Sequence, residues 1–120
     1  MFSILIPSYN NIEYLKICID SINKNSKFNH QIIVHINEGT DGTLKYIEES
    51  KFDYTYSKYN IGMPSALNKA SKLAKFDHLV ISHDDFYYCP NWDTIFEENI
   101  KKYDNKNFLL TGTMVGPENT

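Results

Sequence analysis

Short apolar runs alternate with stretches whose apolar residues recur every three or four positions, and this alternation constrains the fold more than any other feature of the chain. Phe2 to Pro7 is a strand-like run stopped by proline. Ile12, Leu15, Ile19 and Ile22 then form one stripe of an amphipathic helix, with Asn10 and Glu13 spaced as a capping box at its start. Gln31 to Ile36 is a second strand that hardly alternates, as expected of one covered on both faces. Thr40-Asp41-Gly42 marks a turn into a second helix, with Asp41 as its cap and Leu44 and Ile47 facing inward. Phe52 to Ser57 is a weaker strand. Met63, Ala66, Leu67, Ala70, Leu73 and Ala74 fit a third helix, with Pro64 in the first turn, where its missing N–H costs nothing. His78 to Ser82 is the next strand. Trp92, Ile95, Phe96 and Tyr103 fit a fourth helix opened after Pro90, and Phe108 to Thr113 reads as a final strand.

The order βαβαβαβαβ predicts an α/β fold with a mostly parallel sheet and helices on both faces. The length of 120 residues suits one domain, residues 1–120, with no repeat, linker or low-complexity tract. In sheets of this kind ligands bind at the carboxyl ends of the strands. That rule selects Pro7-Ser8-Tyr9-Asn10, Asn37-Glu38-Gly39, Asn60-Ile61-Gly62 and His83-Asp84-Asp85.

A formal charge of −3 removes the electrostatic case for nucleic acid, whose phosphates demand clustered Lys and Arg. A small anionic ligand stays admissible, because a divalent cation can supply the positive charge. Cys18 falls on an apolar helix face and Cys89 just before a proline, so both are expected to be reduced and structural. Ile4-Leu5-Ile6 and Leu79-Val80-Ile81 are far shorter than the roughly 20 residues of a bilayer span. No basic stretch followed by an apolar core opens the chain, so no signal peptide is expected and a cytoplasmic location is the default.

Asp84 and Asp85 emerge together at the ligand edge of the sheet. Adjacent carboxylates repel, and a hard cation such as Mg²⁺ or Mn²⁺ relieves that repulsion while bridging to phosphate oxygens. Capping of the following turn is the plainer reading of the same pair. Tyr9 could stack on a base, or merely cover the core. Asn60-Ile61-Gly62 before a helix could let backbone approach a diphosphate, or be a simple loop. His30, His35, His78 and His83 have no zinc-like spacing, and there is no Ser/His/Asp or Cys/His arrangement and no Walker-type or GxGxxG loop.

Taken together and in order, these segments resemble a known family. Ile4-Leu5-Ile6-Pro7-Ser8-Tyr9-Asn10 closely resembles the opening strand of family 2 glycosyltransferases. Gln31-Ile32-Ile33-Val34, then Gly39-Thr40-Asp41-Gly42-Thr43, is similar to their second strand and its Asp-rich turn. Asn60-Ile61-Gly62 with Ala66-Leu67-Asn68-Lys69-Ala70 looks like the start of their third helix. His83-Asp84-Asp85, with Pro90 five residues after Asp85, is similar to their metal-binding DxD region. The resemblance covers essentially the whole chain. It implies a Rossmann-like, GT-A type fold and a nucleotide-diphosphate sugar donor, UDP being the family's commonest base. It also implies a divalent cation, Mn²⁺ or Mg²⁺, and direct displacement with inversion onto an unknown sugar or glycan acceptor. Pro7, Ser8 and Tyr9 would lie against the base, with Asn37 where the family usually has an aspartate that contacts it. Gly62 would lie beside the diphosphate. Asp84 would approach the ribose or sugar, and Asp85 would hold the cation.

Three departures from the family pattern matter. His83 stands where the first aspartate of DxD is usual, which leaves Asp85 as the secure metal ligand. Asn37 replaces a carboxylate with an amide and so adds a donor. The acceptor-binding half and the general base come later in family sequences than position 120, and Asp93, Glu97 and Glu98 read as the solvated face of the fourth helix. The chain is therefore expected to be the donor-binding part of a longer enzyme, or to be completed by a partner chain, which admits a homo-oligomer. A nucleotide-sugar-binding module without turnover is the alternative. A nucleotidyltransferase would need a glycine-rich, basic loop after the first strand, and Pro7 to Asn11 has neither Gly nor Lys.

Overall fold

The computed structural model describes residues 1–103 and 109–112. Four strands, β1 (Ser3–Tyr9), β2 (Gln31–Asn37), β3 (Asp53–Ser57) and β4 (Leu79–Ile81), form one sheet in the order β3-β2-β1-β4. Every pairing is parallel, as the α/β reading requires. The crossovers are α1 (Ile12–Asn25), α2 (Thr43–Glu48) and α3 (Met63–Ser71), and α4 (Trp92–Ile100) follows β4. β1 and β2 pair from Ser3↔Gln31 to Tyr9↔Asn37, so both strands end level at the same edge.

The two faces are filled differently. Phe2 just before β1, Ile4 and Ile6 of β1 and Ile32, Val34 and Ile36 of β2 point to one face, where Leu15, Cys18, Ile19 and Ile22 of α1, Ile47 of α2 and Trp92 of α4 close over them. This is the larger core, and it explains why the α1 stripe repeats every three to four residues. On the opposite face Leu5 and Ile33 pack under Ala70, with Leu67 and Ala74 beside them. The small residues of α3 let its backbone lie close on the sheet. No helix among the described residues is long and apolar enough to cross a membrane.

Several local expectations are corrected. The capping box at α1 does not form: the residue preceding the helix is Asn11, and no side chain caps it from within. Instead the Ile12 N–H donates to Asp41 Oδ2 at 3.0 Å, and the Asn10 amide is exchanged with Thr40 across the loops. Asp41 Oδ1 meanwhile accepts from the backbone N–H and hydroxyl of Thr43, so one carboxylate holds the starts of α1 and α2 together. Burial pushes the Asp41 carboxyl up, but the bonds from Thr43 and Ile12 outweigh it and hold it below its ordinary value. The third helix stops at Ser71, leaving Leu73 beyond its end and 41% exposed. The final strand expected from Phe108 to Thr113 has both of those residues outside the described ones, and 109–112 carries no strand.

Asp93 departs furthest from its reading as solvated helix surface, since it is fully buried. Its Oδ2 accepts the N–H groups of Lys27 and Phe28 and lies 2.9 Å from His30 Nε2. His30 Nδ1 accepts from the Phe2 N–H, so the proton of a neutral ring sits on Nε2 and points at the carboxylate. Desolvation pushes the Asp93 carboxyl up, yet the hydrogen bonds from Phe28, His30 and Lys27 hold it below its ordinary value. The first turn of α4 is thus tied to the chain between α1 and β2.

Candidate functional site

The carboxyl ends of β1 and β2 and the loops after β3 and β4 enclose an open cleft of about 420 Å³. Pro7, Ser8, Tyr9, Asn37, Gly62 and Asp84 all line it. Asp85 does not: it is exposed on the same loop, outside the cleft lining. Asn10, Asn11, Asn60, Met63 and His83 complete the walls. All of these but Met63 lie within or beside segments that the strand-end rule selects; Met63 carried no functional signal.

Side-chain direction follows from strand alternation. Ser8 is buried, and its hydroxyl donates to Asp84 Oδ2 at 2.9 Å. That bond joins the end of β1 to the acidic loop after β4 and fixes one carboxylate at the cleft wall. Cys18 supports the same loop from beneath, with Sγ 3.5 Å from the His83 carbonyl. Burial, reinforced by the nearby Asp84 and Asp85, pushes its thiol up to about 12, so it stays an inert packing group. Cys18 and Cys89 are both free, the second exposed.

Tyr9 is on the other face of β1 and half-exposed. Its hydroxyl is held by the Glu38 carboxylate, whose charge and hydrogen bond raise the phenol above its ordinary value. Glu38 itself sits at φ 62°, a conformation that non-glycine residues adopt rarely and that functional loops often contain. Beside it Gly39 has no alternative, because a Cβ there would come within 2.6 Å of Ile36 Cγ2.

Asn37 is almost wholly buried at the register position beside Tyr9. Its Oδ1 accepts from the Ile61 N–H at 3.0 Å and lies 3.0 Å from Ser57 Oγ. Ser57 Oγ in turn lies 3.0 Å from His35 Nε2, and His35 Nδ1 lies 2.7 Å from Thr55 Oγ1. His35 is fully buried, and desolvation lowers its basicity, so the ring is neutral and bridges two hydroxyls. Spacing alone says only that His35 belongs to no zinc-like set, and it does not announce this chain. A signal was present: polar residues at alternate positions, His35 and Asn37 on β2 and Thr55 and Ser57 on β3, in strands expected to be covered.

Gly62 opens α3 at φ 82° and ψ 165°, and its N–H is taken by Asn60 Oδ1. A Cβ there would meet nothing within 4 Å, so glycine is called for by backbone conformation alone. His83 is exposed and lies against Phe86, with ring centroids 4.8 Å apart. Among the described residues no three His, Cys, Asp or Glu side chains gather into a metal-binding group. Asp84 and Asp85 offer hard oxygen donors, which suits a cation that takes its other ligands from substrate phosphates and water.

A parallel α/β sheet with its cleft at the strand ends places this chain among the open α/β folds that bind ligands there, and comparison narrows the class. The model of glycosyl transferase family 2 matches residues 3–120, and the chain belongs to that family. An uncharacterized glycosyltransferase of Rickettsia typhi is 37% identical over 114 residues, covering 92% of this chain and 35% of that protein. One from Rickettsia conorii is 36% identical over 118 residues, covering 93% of this chain and 19% of the relative. The chain thus spans about a third or less of the length of these relatives. Among solved structures, S. aureus TarS 1-349 superposes with a TM-score of 0.74 at 20% identity, covering 92% of this chain and 38% of that one. Its complex with UDP-GlcNAc gives 0.71 at 24% identity, over 85% of this chain and 31% of the other. These likenesses establish the GT-A type fold.

Proposed function

We propose that this chain binds the nucleotide-sugar donor of a glycosyltransferase that transfers the sugar, with inversion, to a sugar or glycan acceptor. The observation that carries the proposal is the cleft itself, in which Tyr9, Asn37, Gly62 and the Ser8-held Asp84 converge from three strand ends and a helix start. The UDP and UDP-GlcNAc complexes of the TarS neighbours support a UDP-sugar as donor. Tyr9 and Asn37 take the base, with Pro7 behind them. The loop before α3, with Gly62 in its extended left-handed conformation, brings backbone close to the diphosphate. Asp84, oriented by Ser8, meets the ribose or the sugar. Asp85 holds Mn²⁺ or Mg²⁺ at the open side of the loop, its remaining ligands coming from phosphate and water. When bound, the cation would supply Lewis-acid stabilisation of charge on the departing diphosphate.

A second reading, a binding module without turnover of its own, draws on one observation. Asp84 is the only carboxylate lining the cleft among the described residues, and Asp93, the nearest candidate in sequence, is locked under α4 by His30. In the leading reading the general base and the acceptor site come from sequence that the longer relatives carry, or from a partner chain. Calorimetric titration of UDP, with GDP as control, tests the donor site with and without Mn²⁺. Metal-dependent binding of UDP that is lost in Asp85→Ala is the expected result. Binding that ignores both the metal and Asp85 would remove the cation from the reading. No binding of either nucleotide under any condition would overturn the donor site.

A further inference from the structure

The orientation of Asn37 bears on which bases the cleft admits. The oxygen and nitrogen of an amide are told apart by the partners each can take. Here the partner decides, because the Ile61 backbone N–H can only donate and lies 3.0 Å from the inward atom. That atom must be Oδ1. Its second neighbour, Ser57 Oγ, lies 3.0 Å away with its single proton shared between Oδ1 and the Tyr59 carbonyl at 2.7 Å, so the Ile61 bond is the one that turns Oδ1 inward. Oδ1 is therefore spent inside the fold. What Asn37 has left for the cleft it lines is Nδ2, which donates and cannot accept.

Tyr9 and Asn37 are register partners at the ends of β1 and β2, so their side chains leave the same face of the sheet one strand spacing apart. A flat base laid against the half-exposed Tyr9 ring presents its polar edge to Asn37. A side chain that accepts at ring position 3 would select uracil, whose N3 carries a proton, over cytosine, whose N3 carries a lone pair. A side chain that donates makes no such selection, since the O2 carbonyl is common to both pyrimidines and cytosine N3 is a further acceptor.

We propose that the Asn37 amide reads the base by donation alone, so that the cleft accepts cytidine as well as uridine diphosphate nucleotides. This rests on the donor-site reading above and sharpens its substrate class. The experiment is calorimetric titration of UDP and CDP, in the presence of Mn²⁺, on wild type and Asn37→Asp. The variant keeps an acceptor for Ile61 and Ser57 while turning a second acceptor toward the cleft. The expected result is that wild type binds UDP no more than fivefold tighter than CDP, and that Asn37→Asp raises the UDP:CDP preference at least tenfold. A wild-type preference for UDP above fivefold, or a ratio unmoved in Asn37→Asp, would overturn the proposal while leaving the donor site intact. Absence of binding by both nucleotides to wild type would overturn the donor site and this proposal together. Circular dichroism checks that Asn37→Asp is folded; if it is not, the wild-type ratio decides alone.

Discussion

The face of the sheet beneath α3 is finished on one side and open on the other. Toward β3 it carries Gln31, His35, Asn37, Asp53, Thr55 and Ser57, and these polar groups are bonded to one another or to nearby backbone. Toward β4 the same face carries Leu79 and Ile81, register partners of Ser3 and Leu5, which are 47% and 55% exposed. α3 lies over Leu5 and Ile33 and does not reach them. The comparison teaches that the β3 side is closed by its own hydrogen bonds, whereas the β4 side leaves an apolar strip, Leu79 and Ile81, about half in water.

The largest effect expected on the finished side is from Ile33→Ala. Ile33 is fully buried at the centre of β2, between Leu5 and Ala70. Truncation removes most of its side chain from a site held rigid by strands on both flanks, so unfolding free energy should fall by about 2–5 kcal/mol in urea melts. A loss below about 1 kcal/mol would mean that α3 packs loosely on this face.

Asp93→Ala asks whether the opening near β4 is confined to one face. On the other face Val80 joins the cluster of Phe2, Trp92 and Phe96, and Asp93 ties the start of α4 to Lys27, Phe28 and His30. Removing the carboxylate leaves the Lys27 and Phe28 N–H groups and the buried His30 Nε2 without their acceptor, at a cost of about 3 kcal/mol. Because the folded-state value of Asp93 lies below its unfolded one, its contribution is complete above about pH 4 and is lost as pH falls through the folded value. Wild-type stability should therefore drop more steeply below pH 4 than that of Asp93→Ala in parallel melts.

What the sequence made legible follows this same division. The succession of elements, the parallel sheet and the segments that supply the cleft-lining Pro7, Ser8, Tyr9, Asn37, Gly62 and Asp84 were readable because apolar periodicity and the strand-end rule act locally along the chain. The partnerships were not. Ser8 with Asp84 spans 76 residues, His30 with Asp93 spans 63, and Asn37 with Ile61 spans 24. Asp93 looked like helix surface because its neighbours Glu97 and Glu98 are charged. Only the tertiary approach of the 27–30 segment gives it donors, and nothing in local pattern announces that approach.

His35→Gln tests the polar ladder that finishes the β3 side, with an expected cost of about 1–2 kcal/mol at pH 8 from imperfect replacement of two hydrogen bonds. Its pH signature is more diagnostic. Burial lowers the folded-state value of His35, so the unfolded chain takes up the proton more readily. Its contribution is complete above the unfolded value of about 6.5 and is lost as pH falls through the folded value. The difference in stability between wild type and His35→Gln should shrink across that window. A difference that stays constant from pH 8 to 5 would mean that the ring titrates in the fold as it does in the unfolded chain.

The smallest effect should come from Ile81→Ser, and it is the sharpest test of the open side. Ile81 shares a strand face with Leu5, yet more than half of it is in water, so little apolar area is lost on shortening it. Surface substitutions of this type change stability by less than about 0.5 kcal/mol. If Ile81→Ser instead costs as much as a buried isoleucine, around 2 kcal/mol or more, the strip is covered in solution. Repeating the melt over a tenfold range of protein concentration then separates the two ways of covering it. A concentration-dependent midpoint assigns the cover to a second copy of the chain, and a constant one assigns it to the chain's own residues.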